Sequence, residues 1–227
     1  MCDNPRMAET APAPGTETIT EIKASPRRPD AFVIKVGRKA VATVAARHVA
    51  DLQLCVGLPW TDALAAQVTQ AATIDKAMRA ALNRLGSRAL SRRDLDEKLR
   101  KLEYDAPVRQ AVLDRMEQLG YIDDAAYARA LAEELLRRKA AGPKLLKQKL
   151  WQKGVAGKLA DRVIEEVCPP EDEASQAEPA LQLAQKKLRT LGRYDLPTRK
   201  RRIYSLLARR GFDHNVIDAV MAQLTWE

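Results

Sequence analysis

The same spacing of apolar residues occurs three times in this chain, and this internal repeat limits its fold more than any other feature. Counted from Leu95, Leu146 and Ile203, apolar residues stand at offsets 0, 4, 9, 13, 17 and 21 in every copy. The remaining members are Leu99, Tyr104, Val108, Val112 and Met116; Leu150, Val155, Leu159, Val163 and Val167; and Leu207, Phe212, Val216, Val220 and Leu224. Repeats of this period are typical of stacked helical units.

The offsets predict three short helices in each unit. Offsets 0 and 4 place two aliphatic side chains on one helix face, and offsets 13, 17 and 21 form the stripe of a following helix. Gly154 and Gly211 stand at offset 8, which suits the left-handed residue just past a helix end, whereas Glu103 holds this place in the first copy. An upstream helix is indicated by Met78, Ala81, Leu82 and Leu85, by Leu131, Leu135 and Leu136, and by Leu181, Ala184, Leu188 and Leu191.

The N-terminal region has a different pattern. Apolar and polar residues alternate over residues 18–23 and 32–36, and the turn at residues 37–39 precedes a third short apolar run at 41–44. This pattern predicts a small β-hairpin or three-stranded sheet. A short helix is expected at residues 48–56, and Thr61-Asp62 opens a helical stretch to Ala72.

We therefore expect a mainly α chain of tandem three-helix repeats, modular and elongated, that follows a small β-containing piece. The expected divisions are a disordered leader (1–15), an N-terminal extension (16–73), a first repeat (74–126), a second repeat (127–168), an acidic, proline-containing linker (169–179) and a third repeat (180–227).

The net charge of +9 predicts a polyanion or an acidic protein face as the partner. Three scattered cysteines argue against a disulfide framework, and no stretch is apolar enough for a membrane span, so we expect a cytoplasmic protein. Nine Lys or Arg residues oppose one acid over residues 137–162, and ten oppose one acid over residues 186–210. The candidate binding residues are Arg137, Arg138, Lys139, Lys144, Lys147, Lys149, Lys153, Arg199, Lys200, Arg201, Arg202, Arg209 and Arg210.

Catalytic, cofactor and metal sites are not expected. Asp123-Asp124 is interpreted as a helix N-cap followed by a first-turn acid. Tyr121 and Ile122 are expected to pack at the start of this helix, and Tyr127 lies within it. Residues 154–158 superficially resemble a phosphate loop but lack the glycine and the hydroxyl residue that such a loop requires. Two distant histidines and three scattered cysteines do not have the spacing of a zinc site.

Several runs resemble the RecX family. They are residues 90–95, residues 137–143, and residues 119–128, where Gly120-Tyr121-Ile122-Asp123-Asp124 is followed by Tyr127-Ala128. The resemblance covers about residues 74–224 and is loosest in the third repeat. It implies three tandem three-helix repeats in a non-enzymatic monomer that binds the RecA filament and DNA phosphates and inhibits RecA. The corresponding biological setting is DNA repair, homologous recombination and the SOS response.

Two other functions agree with the residues alone. A three-helix unit is able to present a recognition helix to a DNA groove, although few Asn or Gln residues accompany the arginines. The second of these functions is that of a helical adaptor whose basic face binds an acidic protein. Binding to phosphates weakens steeply with salt, whereas binding through a mostly apolar protein interface responds much less, so salt dependence separates the two.

Overall fold

The computed structural model describes residues 17–155, 157–169 and 173–226. The expected leader at residues 1–15 lies outside this range, as does part of the expected acidic linker. Within the described residues the chain forms three strands and ten helices. The strands are β1 (Ile19–Ser25), β2 (Arg28–Val36) and β3 (Lys39–Ala45). The helices are α1 (Ala46–Asp51), α2 (Asp62–Leu85), α3 (Arg92–Arg100), α4 (Ala106–Gln118), α5 (Asp124–Lys139), α6 (Pro143–Gln152), α7 (Lys158–Val167), α8 (Glu173–Leu188), α9 (Leu196–Arg209) and α10 (His214–Gln223).

The N-terminal strands form an antiparallel sheet in the order β1-β2-β3, which confirms the predicted small sheet. Ile22 pairs with Ile34, and Phe32 pairs with Val44. Alternate residues of each strand face a core that also receives one side of α2, because successive side chains of a strand point to opposite faces. The buried members of this core are Ile19, Ile34, Val36, Val44, Leu54, Val68 and Ala71.

A buried carboxylate joins the end of the sheet to α2. Asp75 is 4% exposed and accepts hydrogen bonds from the main-chain N–H of Ala45 and from the guanidinium of Arg47, the latter at 2.7 Å. His48 Nε2 lies 3.3 Å from the same carboxylate. A buried charge requires such partners, and these contacts fix the start of α1 against the middle of α2.

The second helix of every repeat ends in the same way. The N–H at offset 9 donates to the carbonyl at offset 4, and the N–H at offset 8 donates to the carbonyl at offset 5. This hydrogen-bond pair is the Schellman motif, and it places the residue at offset 8 in the left-handed region. The φ angles are +62° at Glu103, +85° at Gly154 and +81° at Gly211. The three-helix repeat is thus confirmed down to the hydrogen bonds of its helix ends.

The periodic apolar positions are the core positions. All eighteen are buried except Tyr104, Leu159 and Val167, which are half-buried. In the second repeat these residues and the inner face of α5 form one cluster, and in the third repeat the corresponding residues of α8, α9 and α10 form another. Among the upstream positions Leu82 departs from the expectation, because it is exposed.

The repeats meet at two joints that have the same construction. At the first joint, the hydroxyl of Ser91 donates to the carbonyl of Lys153. At the second joint, the main-chain N–H of Gly142 donates to the carbonyl of Arg210 at 2.8 Å. Lys153 and Arg210 both stand at offset 7, and Ser91 and Gly142 both stand four residues before the first apolar position. Each joint therefore connects the end of the second helix of one repeat to the start of the second helix of the preceding repeat.

The chain divides into two compact units. One unit comprises the chain up to Asn83 together with Leu99–Val112, and the other comprises Arg84–Lys98 and the chain from Leu113 onward. The expected boundary between residues 73 and 74 falls inside the continuous helix α2, and α8 begins at Glu173, within the expected linker. No helix in the described residues combines the length and the apolar character needed to cross a membrane.

Candidate functional site

The thirteen candidate residues lie on two stretches of the second unit. In the second repeat they occupy the last turn of α5, the length of α6 and the residue that follows it. In the third repeat they occupy the first half of α9 and its C-terminal end. Most of these side chains are exposed; Lys149, Lys153, Arg199 and Arg210 are half-buried, and the side chain of Lys139 lies outside the described part.

The candidate cations of the second repeat mostly face carboxylates. Four of them form ion pairs, namely Arg138 with Glu134 at 2.9 Å, Lys144 with Asp213 at 3.0 Å, Lys147 with Asp161 at 2.6 Å and Lys153 with Asp94 at 3.4 Å. Lys149 instead donates to the side-chain oxygen of Gln152 at 3.0 Å. The first three pairs are exposed, and exposed ion pairs contribute little to stability and are readily exchanged. The positive charge of this stretch is thus partly compensated within the protein.

The candidate cations of α9 have a different environment. Arg199 Nε donates to the carbonyl of Tyr194 at 2.7 Å, and its Nη2 donates to the carbonyl of Gly192 at 2.8 Å. Within the part of the chain that the structure describes, Lys200, Arg201 and Arg202 form no ion pair with a carboxylate. Arg199 thus organises the α8–α9 loop, whereas the three residues after it leave their positive charge on the surface.

Aromatic rings accompany these cations. The guanidinium carbon of Arg202 lies 3.8 Å from the ring centroid of Tyr194, and that of Arg193 lies 5.0 Å from the same ring. Lys200 Nζ lies 5.5 Å from the ring of Trp226. These are cation–π distances. Arg193 and these rings are not among the candidate residues identified from the sequence, although Tyr194 stands among Lys and Arg residues there.

The α8–α9 loop is held by a capped helix start. Asp195 is the N-cap of α9, and its carboxylate accepts the N–H of Thr198 at 3.4 Å. The hydrogen bond from the Thr198 side chain lowers the pKa of Asp195, and the main-chain N–H groups and the charge of Arg201 act in the same direction. Pro197 stands in the first turn, where its missing N–H costs nothing. Tyr194 therefore directly precedes the capped N-terminus of α9.

The adjacent acids of the Gly120–Ala128 run have structural roles. Asp123 caps α5 by accepting the N–H groups of Ala125 and Ala126, both at 2.9 Å, which confirms the N-cap interpretation. Asp124 accepts the N–H of Arg92 at 2.8 Å at the start of α3. Burial raises the pKa of Asp124, and the Arg92 hydrogen bond opposes this change. No group of three potential metal ligands occurs in the described residues.

The two tyrosines of this run have different surroundings. Tyr127 packs against the core of the second repeat, as expected, and burial raises the pKa of its hydroxyl. Tyr121 is 55% exposed, so the prediction that it packs at the start of the helix is wrong. Gly120, with φ +73°, stands between the end of α4 and Tyr121. Tyr121 instead lines an open cavity of about 550 Å³ together with Arg88, Leu90, Tyr127, Leu131 and Lys153.

Family models match all three repeats. The model described as RecX, first three-helix domain, matches residues 77–116; the second three-helix domain matches residues 123–164, and the third matches residues 175–221. Together these matches span more than half of the chain. The first match runs from the second half of α2 into α4, and the other two coincide with α5–α7 and α8–α10 to within a few residues.

Whole-protein comparisons give the same family. The regulatory protein RecX of Chlorobium phaeobacteroides is 32% identical over 149 residues, which cover 66% of this chain and 93% of that protein. The regulatory protein RecX of Listeria monocytogenes is 26% identical over 209 residues, which cover 92% of this chain and 76% of that protein. A crystal structure of regulatory protein RecX superimposes with a TM-score of 0.81 at 23% identity and covers 91% of this chain and 100% of that one. This last likeness concerns the fold alone.

Proposed function

Since the chain belongs to the RecX family of regulatory proteins, we propose that it binds the RecA–DNA filament and lowers the recombinase and ATPase activity of RecA. The protein has no chemistry of its own in this proposal. It acts by binding one state of the filament more tightly than another, because a ligand shifts an equilibrium only by its differential affinity for the two states. Its contacts with the filament are made from the basic faces of the second and third repeats.

The observation that carries the DNA part of the proposal is the surface charge of α9. Lys200, Arg201 and Arg202 are exposed and consecutive, and they form no ion pair among the described residues. A phosphate backbone compensates such charges and releases its own counterions, which gives a strong and salt-dependent attraction. The exposed cations of α9 are therefore the first place to expect DNA phosphates.

The basic face of the second repeat supports a broader contact. Four of its cations already face carboxylates of this chain at 2.6 to 3.4 Å. Because exposed pairs are weak, a filament surface replaces them at low cost. We assign this face to the protein side of the filament or to DNA phosphates of lower affinity, with the third repeat as the main DNA contact.

The proposal is tested by steady-state ATP hydrolysis of RecA on single-stranded DNA, with the protein added before or after filament formation. The expected result is a dose-dependent fall of the RecA rate and no hydrolysis by the protein alone. Unchanged turnover at every ratio of the two proteins, in both orders of addition, would contradict the proposal.

A matched arm separates a RecA regulator from a protein that merely covers DNA. Excess single-stranded DNA relieves the inhibition completely if the protein only sequesters the strand on which RecA assembles. It leaves inhibition of preformed filaments in place if the protein binds the filament itself. Inhibition that is insensitive to both DNA and salt would favour the adaptor function over DNA binding.

A further inference from the structure

The third repeat has aromatic side chains that are not fully buried in its core, and these contact cationic or imidazole groups. Tyr194 lies under Arg202 and Arg193, and Trp226 lies under Lys200. Tyr204 is 40% exposed and meets His214 edge-on, with its hydroxyl 3.2 Å from His214 Nδ1. Rings interleaved with positive charge are the composition that single-stranded nucleic acid requires, because bases stack on the rings and phosphates meet the cations.

The contact between Arg202 and Tyr194 is the most informative of these. A separation of 3.8 Å between a guanidinium carbon and a ring centroid is a stacking distance. Tyr194 also packs against the core of the repeat, so that part of the side chain is anchored while the ring carries a planar, cationic group. A nucleobase is planar, as the guanidinium is, so it can stack on the same face of the ring.

Two hydrogen bonds hold Tyr194 in place. Arg193 Nη2 donates to the Tyr194 hydroxyl at 2.9 Å, and Arg199 holds the Tyr194 carbonyl at 2.7 Å. The hydrogen bond from Arg193 lowers the pKa of the Tyr194 hydroxyl, and Arg202 acts in the same direction. A side chain fixed at its hydroxyl and at its main chain loses little conformational entropy when a ligand stacks on it.

We propose that Tyr194 is a stacking platform for an unpaired base, and that repeat 3 therefore prefers single-stranded DNA to a duplex. This inference rests on the proposed DNA contact of α9. In the free protein Arg202 occupies the platform. In the complex a base takes its place, and Arg202 turns to the neighbouring phosphate. Bases in a duplex are already stacked on each other, so the platform adds nothing to duplex affinity.

The test uses the full chain and fluorescence anisotropy with a labelled single strand and its duplex, each at several salt concentrations. Tyr194→Leu removes the ring and keeps an apolar contact with the core, whereas Tyr194→Phe keeps the ring and serves as the conservative control. We expect Tyr194→Leu to weaken single-strand binding roughly five- to hundredfold. Its duplex affinity should change less than about twofold, and its salt slope should stay unchanged because no phosphate contact is lost.

A second measurement does not depend on the folding of a variant. A single strand with abasic sites keeps every phosphate and lacks the bases that would stack. The unaltered protein should bind this strand roughly fivefold or more weakly than the normal strand. Tyr194→Leu should bind the two strands equally.

The possible failures are distinguishable. Equal losses on single strand and duplex in Tyr194→Leu would mean that the ring only positions Arg202 for phosphates, and the platform would be wrong. Equal binding of normal and abasic strands by the unaltered protein would overturn it as well. If neither strand nor duplex binds at low salt, the proposed DNA contact itself fails, whatever the result with RecA.

Discussion

Gly211 lies so close to Leu145 that a Cβ atom on the glycine would fall 2.2 Å from the main-chain nitrogen of Leu145. Gly154 has the equivalent relation to Arg93 at the other joint, with a distance of 2.4 Å to the arginine Cβ. The glycine at offset 8 thus has two functions, since it ends a helix and it admits the preceding repeat. Glu103 is the third member of the set and shares the backbone conformation, which shows that helix termination alone does not require glycine here.

Gly211→Ala is expected to destabilise the second unit through the joint. The new methyl group must displace backbone atoms of α6, in addition to the cost of about 1 kcal/mol for a left-handed alanine. Gly120→Ala is the matched control, because Gly120 has φ +73° in the same kind of helix end and nothing within 4 Å of its Cβ position. Thermal unfolding should show a clearly larger loss for Gly211→Ala. Equal losses in the two variants would mean that the contact with Leu145 relaxes freely.

The two tyrosines of the Gly120–Ala128 run should respond differently to truncation. Tyr127→Ala removes a ring that packs on the second-repeat core, with an expected loss of roughly 2–3 kcal/mol, less than for a fully buried aromatic. Tyr121→Ala removes an exposed ring and should change the free energy of unfolding by about 0.5 kcal/mol or less. Chemical denaturation measures both. A filament-binding defect of Tyr121→Ala without loss of stability would identify the cavity beside it as a partner contact.

The charge of α9 should set the DNA affinity. The triple variant Lys200→Ala, Arg201→Ala, Arg202→Ala should keep its fold, because Arg199 still holds the loop. Its slope of log Kd against log salt should fall by about two, since three consecutive residues do not all face one strand.

The control for this variant is Arg79→Ala, Arg84→Ala, Arg88→Ala, which removes three exposed charges from the first repeat. The control should leave DNA affinity nearly unchanged. If the two triple variants lose affinity equally, net charge and not the α9 face governs binding.

Asp124 should make stability fall as pH rises through its titration range. Burial raises its pKa in the folded protein above the ordinary value of 3.8, so the folded state binds the proton more tightly than the unfolded state. The stabilisation by the bound proton is present at low pH and is lost as pH rises through the folded pKa. Asp124→Asn removes this titration and retains an oxygen to accept the Arg92 N–H. The stability of the unaltered protein relative to Asp124→Asn should therefore decrease as pH rises through the raised pKa of Asp124. A difference that rises or stays constant with pH would contradict this.

Much of the fold could be read from spacing. The eighteen apolar positions are core positions because a helix has 3.6 residues per turn and must bury one face, and this periodicity depends on local geometry alone. Local geometry also made two further features predictable. They are the left-handed conformation at Gly154 and Gly211 and the N-cap at Asp123. The exposure of Tyr121 was not predictable, since Val155 and Phe212 also follow left-handed glycines and are buried.

The candidate site was only partly predictable. The sequence identified where Lys and Arg outnumber acids, since this is a count of residues. It did not identify which of these cations are compensated, because Lys144 meets Asp213 and Lys153 meets Asp94 from distant parts of the chain. Those partners meet only where one repeat joins the next.

The sequence by itself therefore determined the repeat, the helix ends and the charge of each segment, all of which depend on neighbours within a few turns. Only the tertiary structure decided which charges remain uncompensated, which glycines admit another repeat, and that Arg202 lies on the ring of Tyr194. These depend on the path of the α8–α9 loop and on the two joints. The physical reason is that such contacts are fixed by packing between elements, which spacing along the chain does not encode.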